Sequence, residues 1–464
     1  MSTTGSPSNS SDAKRRCALP QEPQPDAQPA SPAVTRRGHW RHNDEDVRRW
    51  AELFRSGITL VHIAKRENVD PETVSQQLHR LGLAITPGHH MVEQLPLKYS
   101  PRFIELIDEG PDAVLEFVKN RVWGIQASAT GERQLRNFCE FVRLHHQGVG
   151  VKEMARRLSI HRSTIAKWRE GTDQPYLIRA ANDTLPMTNR LSWVYLPMHL
   201  SSGGSEPSGW IQVPRAIQSF GDILDVVNQI QPLELTFERA KIFELTRPQI
   251  LAMRSELFAY LFGIMVGDSG KLGGEQPRFA SINLDLQLTR KEPTNERLGE
   301  FVLMCANSIG LEMTRIKDKP PSGQQLLGKQ PMSAYRWSSE RSPLLAWMFS
   351  VGLGLRWGET TTDNQIRMNW MFDMPRMFRI RFVQGVADSD GCVKHSEVEI
   401  ASVPNALFFA DLLQSLGVMT AHVSYEKGEP LKTIVNRKQA SSLPVFNDYV
   451  KGYRYRRMMN WPRT

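Results

Sequence analysis

The sequence is poor in cysteine and has no long hydrophobic segment. Its four cysteines are far apart among 464 residues and form no Cys-x-x-Cys pair, which argues against a zinc ribbon and against a disulfide framework. No stretch reaches the roughly 18 consecutive apolar residues of a membrane helix. No apolar run follows the first basic residues, so a secretory signal is not expected. These absences predict an intracellular, cytoplasmic protein in a reducing compartment, with no membrane partner.

Positive charge, by contrast, is present in excess. Lysine and arginine number 58 against 49 acidic residues, which gives a net charge of +9. An excess of this size suits a polyanion such as nucleic acid, and we expect the protein to associate with the nucleoid. It is equally compatible with a basic protein that has no such partner. The length predicts several domains.

Composition and periodicity divide the chain into six segments. The first, 1–42, is rich in serine and proline without an apolar period, and we expect it to be disordered. The others are a first helix-turn-helix unit (43–95), a helical segment with a second such unit (96–173), a connector with a possible hairpin and helix (174–249), and the two halves of a duplicated domain (250–360 and 361–464).

Two stretches have the pattern of a short helix, a tight turn and a second helix. In the first, the turn is expected at Asn68, and Asp70 is placed to cap the second helix with Pro71 at its start. Gln76 and Arg80 point outward on that helix and are its candidate DNA-contacting residues. In the second, the candidate DNA-contacting residues are Arg162, Ser163, Thr164, Lys167 and Arg169. Either unit is also compatible with a three-helix bundle that binds protein or nothing.

The chemistry is expected in the duplicated C-terminal part. Each copy opens with an apolar helix that ends in an acid, Asp268 in the first copy and Asp390 in the second. An alternating strand and a second apolar helix follow in both copies. A duplication of this kind predicts an α+β fold built from two similar halves.

Small residues on the two acid-bearing helices predict that these helices pack closely. Gly263 and Gly267 form a small stripe on the first helix, and Gly385 lies on the second. Asp268 and Asp390 would then meet at two helix C-termini, where the helix dipole disfavours extra negative charge. A divalent cation removes this conflict, and Mg²⁺ prefers few carboxylates together with water and phosphate oxygens.

Each acid-bearing helix ends in a short motif, Leu-Phe-Gly-Ile-Met-Val-Gly-Asp (261–268) in the first copy and Val-Gln-Gly-Val-Ala-Asp-Ser-Asp-Gly (383–391) in the second. These motifs resemble that of the LAGLIDADG homing endonuclease family, in its single-chain, two-motif form. The resemblance covers residues 250–464. It implies αββαββα halves whose antiparallel sheets face double-stranded DNA, in a monomer with pseudo-twofold symmetry. It also implies Mg²⁺-dependent hydrolysis at Asp268 and Asp390. Val266 and Ser269 depart from the motif.

The resemblance also implies basic residues near the attacking water and base-reading side chains on the strands. Arg336 and Lys432 are the catalytic candidates of this kind. The candidates for DNA contact are Asn283, Gln287, Arg437 and Lys438. Glu397 and Glu399 would repel phosphates, although a glutamate can accept a hydrogen bond from cytosine.

The function that these features favour is site-specific cleavage of both DNA strands, as in intron homing. One alternative is a non-cleaving transcription regulator on the same scaffold, which the helix-turn-helix units would suit. Another is an RNA maturase, which would bind a structured intron rather than duplex DNA. The chain begins Met-Ser and ends Arg-Thr, so no intein splice signature is expected.

Overall fold

The computed structural model describes residues 42–55, 58, 60–82, 96–125, 127–188, 190–198, 207–267, 279–287, 294–317, 334–356, 358–394, 397–436, 439 and 443–452. The chain forms two compact units, Met1–Glu93 and Gln94–Thr464. Residues 1–41, for which the sequence predicts disorder, lie outside the described residues.

The described part of the first unit is a small helical bundle. Its helices are α1 (Asp44–Arg55), α2 (Leu60–Glu67) and α3 (Pro71–Arg80). Trp50, Ile63 and Leu78 are buried at its centre. Asn68 has a left-handed backbone with φ 53° between α2 and α3, and the side chain of Asp70 accepts a hydrogen bond from the amide of Glu72 at 2.8 Å. The predicted turn and cap are therefore confirmed.

The second unit begins with a helical region. Its helices are α4 (Pro101–Asp108), α5 (Pro111–Arg121), α6 (Ala129–His146), α7 (Val151–Leu158), α8 (Arg162–Arg169) and α9 (Tyr176–Thr184). Phe138, Phe141 and Trp168 form its aromatic centre. Ser159, with φ 55°, turns the chain between α7 and α8, and the ring of His161 caps α8 by accepting from the amide of Ser163.

A two-stranded hairpin belongs to both hydrophobic cores of this unit. Strands β1 (Trp193–Met198) and β2 (Gly209–Pro214) pair antiparallel. Tyr195 packs into the helical core, whereas Val194 and Leu196 pack into the core of the duplicated part. The segment read from the sequence as a connector is thus buried from both sides, because alternate side chains of one strand face opposite ways.

The duplicated part is preceded by three helices, α10 (Phe220–Gln229), α11 (Glu234–Ala240) and α12 (Arg247–Ala252). Its first copy contains α13 (Arg254–Gly267), β3 (Asn283–Gln287), α14 (Thr294–Ser308), β4 (Met313–Lys317), β5 (Ala334–Ser339) and α15 (Pro343–Trp347), which a π-helical turn (Met348–Gly352) extends. The second contains α16 (Arg376–Asp390), β6 (Gly391–Lys394), β7 (Glu397–Ile400), α17 (Ala406–Ser415), β8 (His422–Glu426) and β9 (Glu429–Asn436).

Each copy contributes one antiparallel sheet, with strand orders β3-β5-β4 and β6-β7-β9-β8. In the second sheet Val398, Ile400 and Val435 are buried, and Glu399 and Lys432 lie on the opposite face, as the alternation of strand side chains requires. Helices and antiparallel sheets together give the α+β class expected from the sequence. No described helix is long and apolar enough to cross a membrane.

The division into units predicts where the chain tolerates truncation. Removal of residues 1–93 takes away the first unit whole, so the remainder should unfold at an unchanged temperature. Removal of residues 1–180 cuts inside α9 and uncovers the buried ring of Tyr195, so that chain should aggregate or unfold at a lower temperature. Calorimetry on both truncated chains tests this, and equal unfolding temperatures would contradict it.

Candidate active site

The two acid-bearing helices, α13 and α16, touch through their backbones. A Cβ atom placed on Gly263 would lie 2.2 Å from the carbonyl oxygen of Phe382 and 2.8 Å from the Cα of Gly385. One placed on Gly385 would lie 2.2 Å from the carbonyl oxygen of Tyr260 and 2.9 Å from the Cα of Gly263. The contact leaves room for hydrogen alone, so glycine is required on both helices.

This crossing is symmetric in its contacts. A Cβ atom on Gly263 would lie as close to the carbonyl oxygen of Phe382 as a Cβ atom on Gly385 would lie to that of Tyr260. An approximate twofold axis therefore passes between the glycines, and it relates the position of Tyr260 to that of Phe382. The C-terminal ends of the two helices consequently lie side by side.

At these ends the second acid approaches the first helix. A Cβ atom placed on Gly267, the last residue of α13, would lie 3.3 Å from the carboxyl carbon of Asp390, the last residue of α16. It would also collide with the side chain of Ser389. Asp268 is the next residue along the chain and lies outside the described residues.

Lys451 supplies positive charge at the end of α16, and sequence reasoning missed it. Its Nζ donates to the carbonyl oxygen of Gly391 at 2.9 Å and lies 3.4 Å from those of Ala387 and Ser389. These carbonyls carry the partial negative charge of the helix terminus, which a lysine offsets. No local pattern in the sequence marks this lysine, because the segment 443–452 also contains Asn447 and Asp448.

Asp388, at the place of the motif's first acid, is part of the helix interface. It is fully buried, and the hydroxyl of Tyr260 donates to its Oδ2 at 2.8 Å. Burial raises the pKa of Asp388 to about 7, against the opposing effect of the positive charge of Lys451. The twofold axis relates Asp388 to Val266 and Tyr260 to Phe382. Val266 and Phe382 are both buried and apolar, so the interface is polar on one side of the axis.

The two basic catalytic candidates lie on strands. On β9, Lys432 Nζ contacts Glu399 Oε1 at 2.7 Å, and Lys394 on β6 contacts the other carboxylate oxygen at 2.8 Å. Arg336 on β5 is paired in register with Asp285 on β3. The structure thus places Lys432 in an ion pair within the second sheet.

Of the strand residues expected to read DNA, Asn283 is the one whose side chain is described. Its Oδ1 accepts from the hydroxyl of Ser338 at 2.6 Å, and its Nδ2 donates to Ser281 at 3.1 Å. The backbone of Gln287 pairs with Ala334, but its side chain lies outside the description. Arg437 and Lys438 also lie outside the described residues.

The candidate DNA-contacting residues of the second helix-turn-helix unit differ in solvent exposure and in ion pairing. Arg162 and Ser163 are exposed, whereas Thr164 is half-buried. Lys167 Nζ is 3.0 Å from Asp173, and Arg169, also half-buried, lies 3.8 Å from Glu170.

The first unit offers less positive charge at its predicted reading helix. Gln76 is exposed, but Arg80 is paired with Asp44 at the start of α1. The more basic and open surface is therefore that of α8 in the second unit.

Comparison with solved structures finds homing endonucleases at low similarity. I-DmoI, in complex with DNA and Mn, is 16% identical, with 42% of this chain and 98% of that chain covered and a TM-score of 0.30. I-WcaI, bound to its DNA recognition sequence, is 10% identical, with 42% and 82% covered and a TM-score of 0.29. Neither a family model nor a curated protein matches the chain. At these scores the function has to be argued from the residues themselves.

The donor set at the helix ends suits a cation that needs few protein ligands. Within the described residues, no three or more His, Cys, Asp or Glu side chains form a group able to hold a metal ion. The ligands expected from the sequence are Asp390 and Asp268, of which Asp268 lies outside the described residues. Mg²⁺ is bound through one or two carboxylates with water and phosphate completing its shell, and the two acids fit that requirement.

The glycine contact predicts a strong effect of a single methyl group. Gly263→Ala should destabilise the protein by roughly 1–3 kcal/mol, because the new Cβ meets backbone atoms that cannot rotate away. Gly209→Ala is the matched control, since nothing lies within 4 Å of its Cβ position. Denaturant unfolding measures both changes, and equal losses would show that the helices do not depend on this contact.

Gly354 is unsuitable as a control for this substitution. Its backbone has φ +69°, and a Cβ atom there would lie 2.6 Å from the Cβ of Arg367. A substitution at Gly354 would therefore introduce strain of its own.

The raised pKa of Asp388 predicts how stability depends on pH. The folded state keeps the proton up to about pH 7, whereas the unfolded state releases it near its ordinary value of 3.8. The contribution of Asp388 to stability is therefore present at low pH and is lost as pH rises through about 7. Asp388→Asn should flatten this decline in unfolding measurements. An unchanged pH profile would refute the prediction.

Proposed function

We propose that this protein is a Mg²⁺-dependent endonuclease that cuts both strands of DNA at a specific site and acts as a monomer. The observation that carries the proposal is the backbone contact of Gly263 with Gly385, which sets two helix C-termini side by side. Each helix is followed or ended by an aspartate, Asp268 or Asp390. Close packing of two acids at negative helix ends is unfavourable for stability alone, which favours a role in binding a cation.

Asp268 and Asp390 would hold the divalent cation. When bound, the cation activates water and stabilises the leaving oxygen of a phosphodiester. Lys451 holds the backbone on both sides of Asp390 through the carbonyls of Ser389 and Gly391. Lys432 and Arg336 stay candidates for assisting the reaction from the strands.

The surfaces around the site would bind the duplex. In this proposal the open faces of the two sheets lie along the major groove, with Asn283 and Gln287 reading bases and Arg437 and Lys438 holding the backbone. Arg162 and Ser163 at the exposed start of α8 would add contacts to phosphates or bases. The other proposed DNA contacts are Thr164, Lys167 and Arg169 on the same helix, together with Gln76 and Arg80 on α3.

A non-cleaving DNA-binding regulator is the second candidate. The observation that favours it is the exposed basic start of α8, which serves DNA binding whether or not the acids cut. This candidate keeps the DNA partner and removes the catalytic role of Asp268 and Asp390.

Neutral substitutions at the acids separate the two candidates. Asp268→Asn and Asp390→Asn should each abolish Mg²⁺-dependent cleavage and leave DNA binding largely intact, because the amide keeps the shape and loses the charge. Asp411→Asn, at an exposed acid of α17, is the control and should cut normally. Cleavage of a duplex selected by binding from a random library is the measurement. A wild-type rate in either active-site variant would refute the two-acid mechanism, and no cutting by wild type would favour the regulator.

A further inference from the structure

Glu399 is an almost buried acid in the middle of the second sheet. It lies on β7, where its register partners are Cys392 on β6 and Ile434 on β9. Its side chain is 10% exposed although it lies on the face opposite the hydrophobic core. Positive partners beside such a carboxylate favour its charged form.

Two lysines provide that charge. Lys394 Nζ lies 2.8 Å from Glu399 Oε2, and Lys432 Nζ lies 2.7 Å from Oε1. Their hydrogen bonds lower the pKa of Glu399, so the carboxylate is ionised at neutral pH. Each oxygen is therefore committed to one lysine.

The arrangement removes positive charge from a surface proposed to face DNA. Lys394 and Lys432 are bound to a shared carboxylate, and a lysine must leave this ion pair before it can neutralise a phosphate. Leaving gives up a charge-assisted hydrogen bond of 2.7 or 2.8 Å, a type roughly twice as strong as a neutral hydrogen bond.

We propose that Glu399 is a specificity-determining residue that withholds Lys394 and Lys432 from the phosphates of duplex DNA. The inference rests on the proposed binding of DNA by this sheet. Sequence-independent affinity comes from phosphate neutralisation, so withholding two lysines weakens binding to arbitrary duplexes. Discrimination improves when binding to wrong partners is weakened. Glu399 thus acts through the lysines and need not touch the bases.

The salt dependence of binding tests this proposal, because each additional phosphate contact adds about 0.9 to the log–log slope. The probe is a random-sequence duplex, titrated with KCl against the full-length protein without Mg²⁺. Glu399→Gln should steepen the slope by about 1 to 2, because it releases both lysines. Glu426→Gln removes the same charge from an exposed position on β8, an edge strand of the same sheet, and it should leave the slope nearly unchanged.

Lys394→Ala tests whether Lys394 is one of the lysines that Glu399→Gln releases to contact phosphates. In the wild-type background it should not change the slope, because Lys394 is withheld there. In the Glu399→Gln background it should lower the slope by about 0.9. If Glu399→Gln lowers the unfolding temperature too far for binding measurements, Lys394→Ala in the wild-type background decides alone. An unchanged slope then supports the proposal, and a loss of about 0.9 overturns it.

The remaining outcomes separate this inference from the proposed function. Equal slopes for wild type and Glu399→Gln, with binding present, overturn the inference alone. Equal steepening by Glu399→Gln and Glu426→Gln overturns it too, since general charge then explains the effect. Absence of salt-dependent binding in every variant overturns DNA binding itself, and the inference with it.

Discussion

The contact between the backbones of α13 and α16 is the constraint on which the duplicated part depends. Glycine at 263 and 385 lets each helix approach the carbonyl oxygens of the other to distances that a side chain would prevent. Such an approach fixes the crossing point, because it can occur only where both helices lack a Cβ atom. Once the crossing point is fixed, Gly267 and Asp390, the last residues of the two helices, lie at the same end of the pair.

The backbones of α13 and α16 are related by an approximate twofold axis, but the side chains at equivalent positions differ in polarity. On one side of the axis Tyr260, Asp388 and Lys451 interact in a buried environment. On the other side Phe382 and Val266 pack as apolar residues. The two halves therefore carry different polar environments at equivalent positions, and the lysine that contacts the backbone around Asp390 belongs to the second half.

Ion pairs within the protein reduce the positive charge that its surface offers to a polyanion. A net charge of +9 indicates attraction to polyanions, but several of the cations named from the sequence are paired in the folded chain, among them Arg80 with Asp44 and Lys432 with Glu399. Since a paired lysine attracts a phosphate less than a free one, the folded protein is less basic locally than its composition indicates. Arg162 at the exposed start of α8 is more available.

The sequence by itself determined the α+β class, the turn at Asn68 with its cap at Asp70, and the small residues on the two motif helices, because these depend on local periodicity and on residue size. Only the tertiary structure decided the partners of Lys432 and Glu399, the burial of Asp388 and the position of Lys451 beside Ser389 and Gly391. These features join residues that are distant in the chain, and no local pattern encodes such distances. The sharing of the β1–β2 hairpin between two cores was hidden for the same reason.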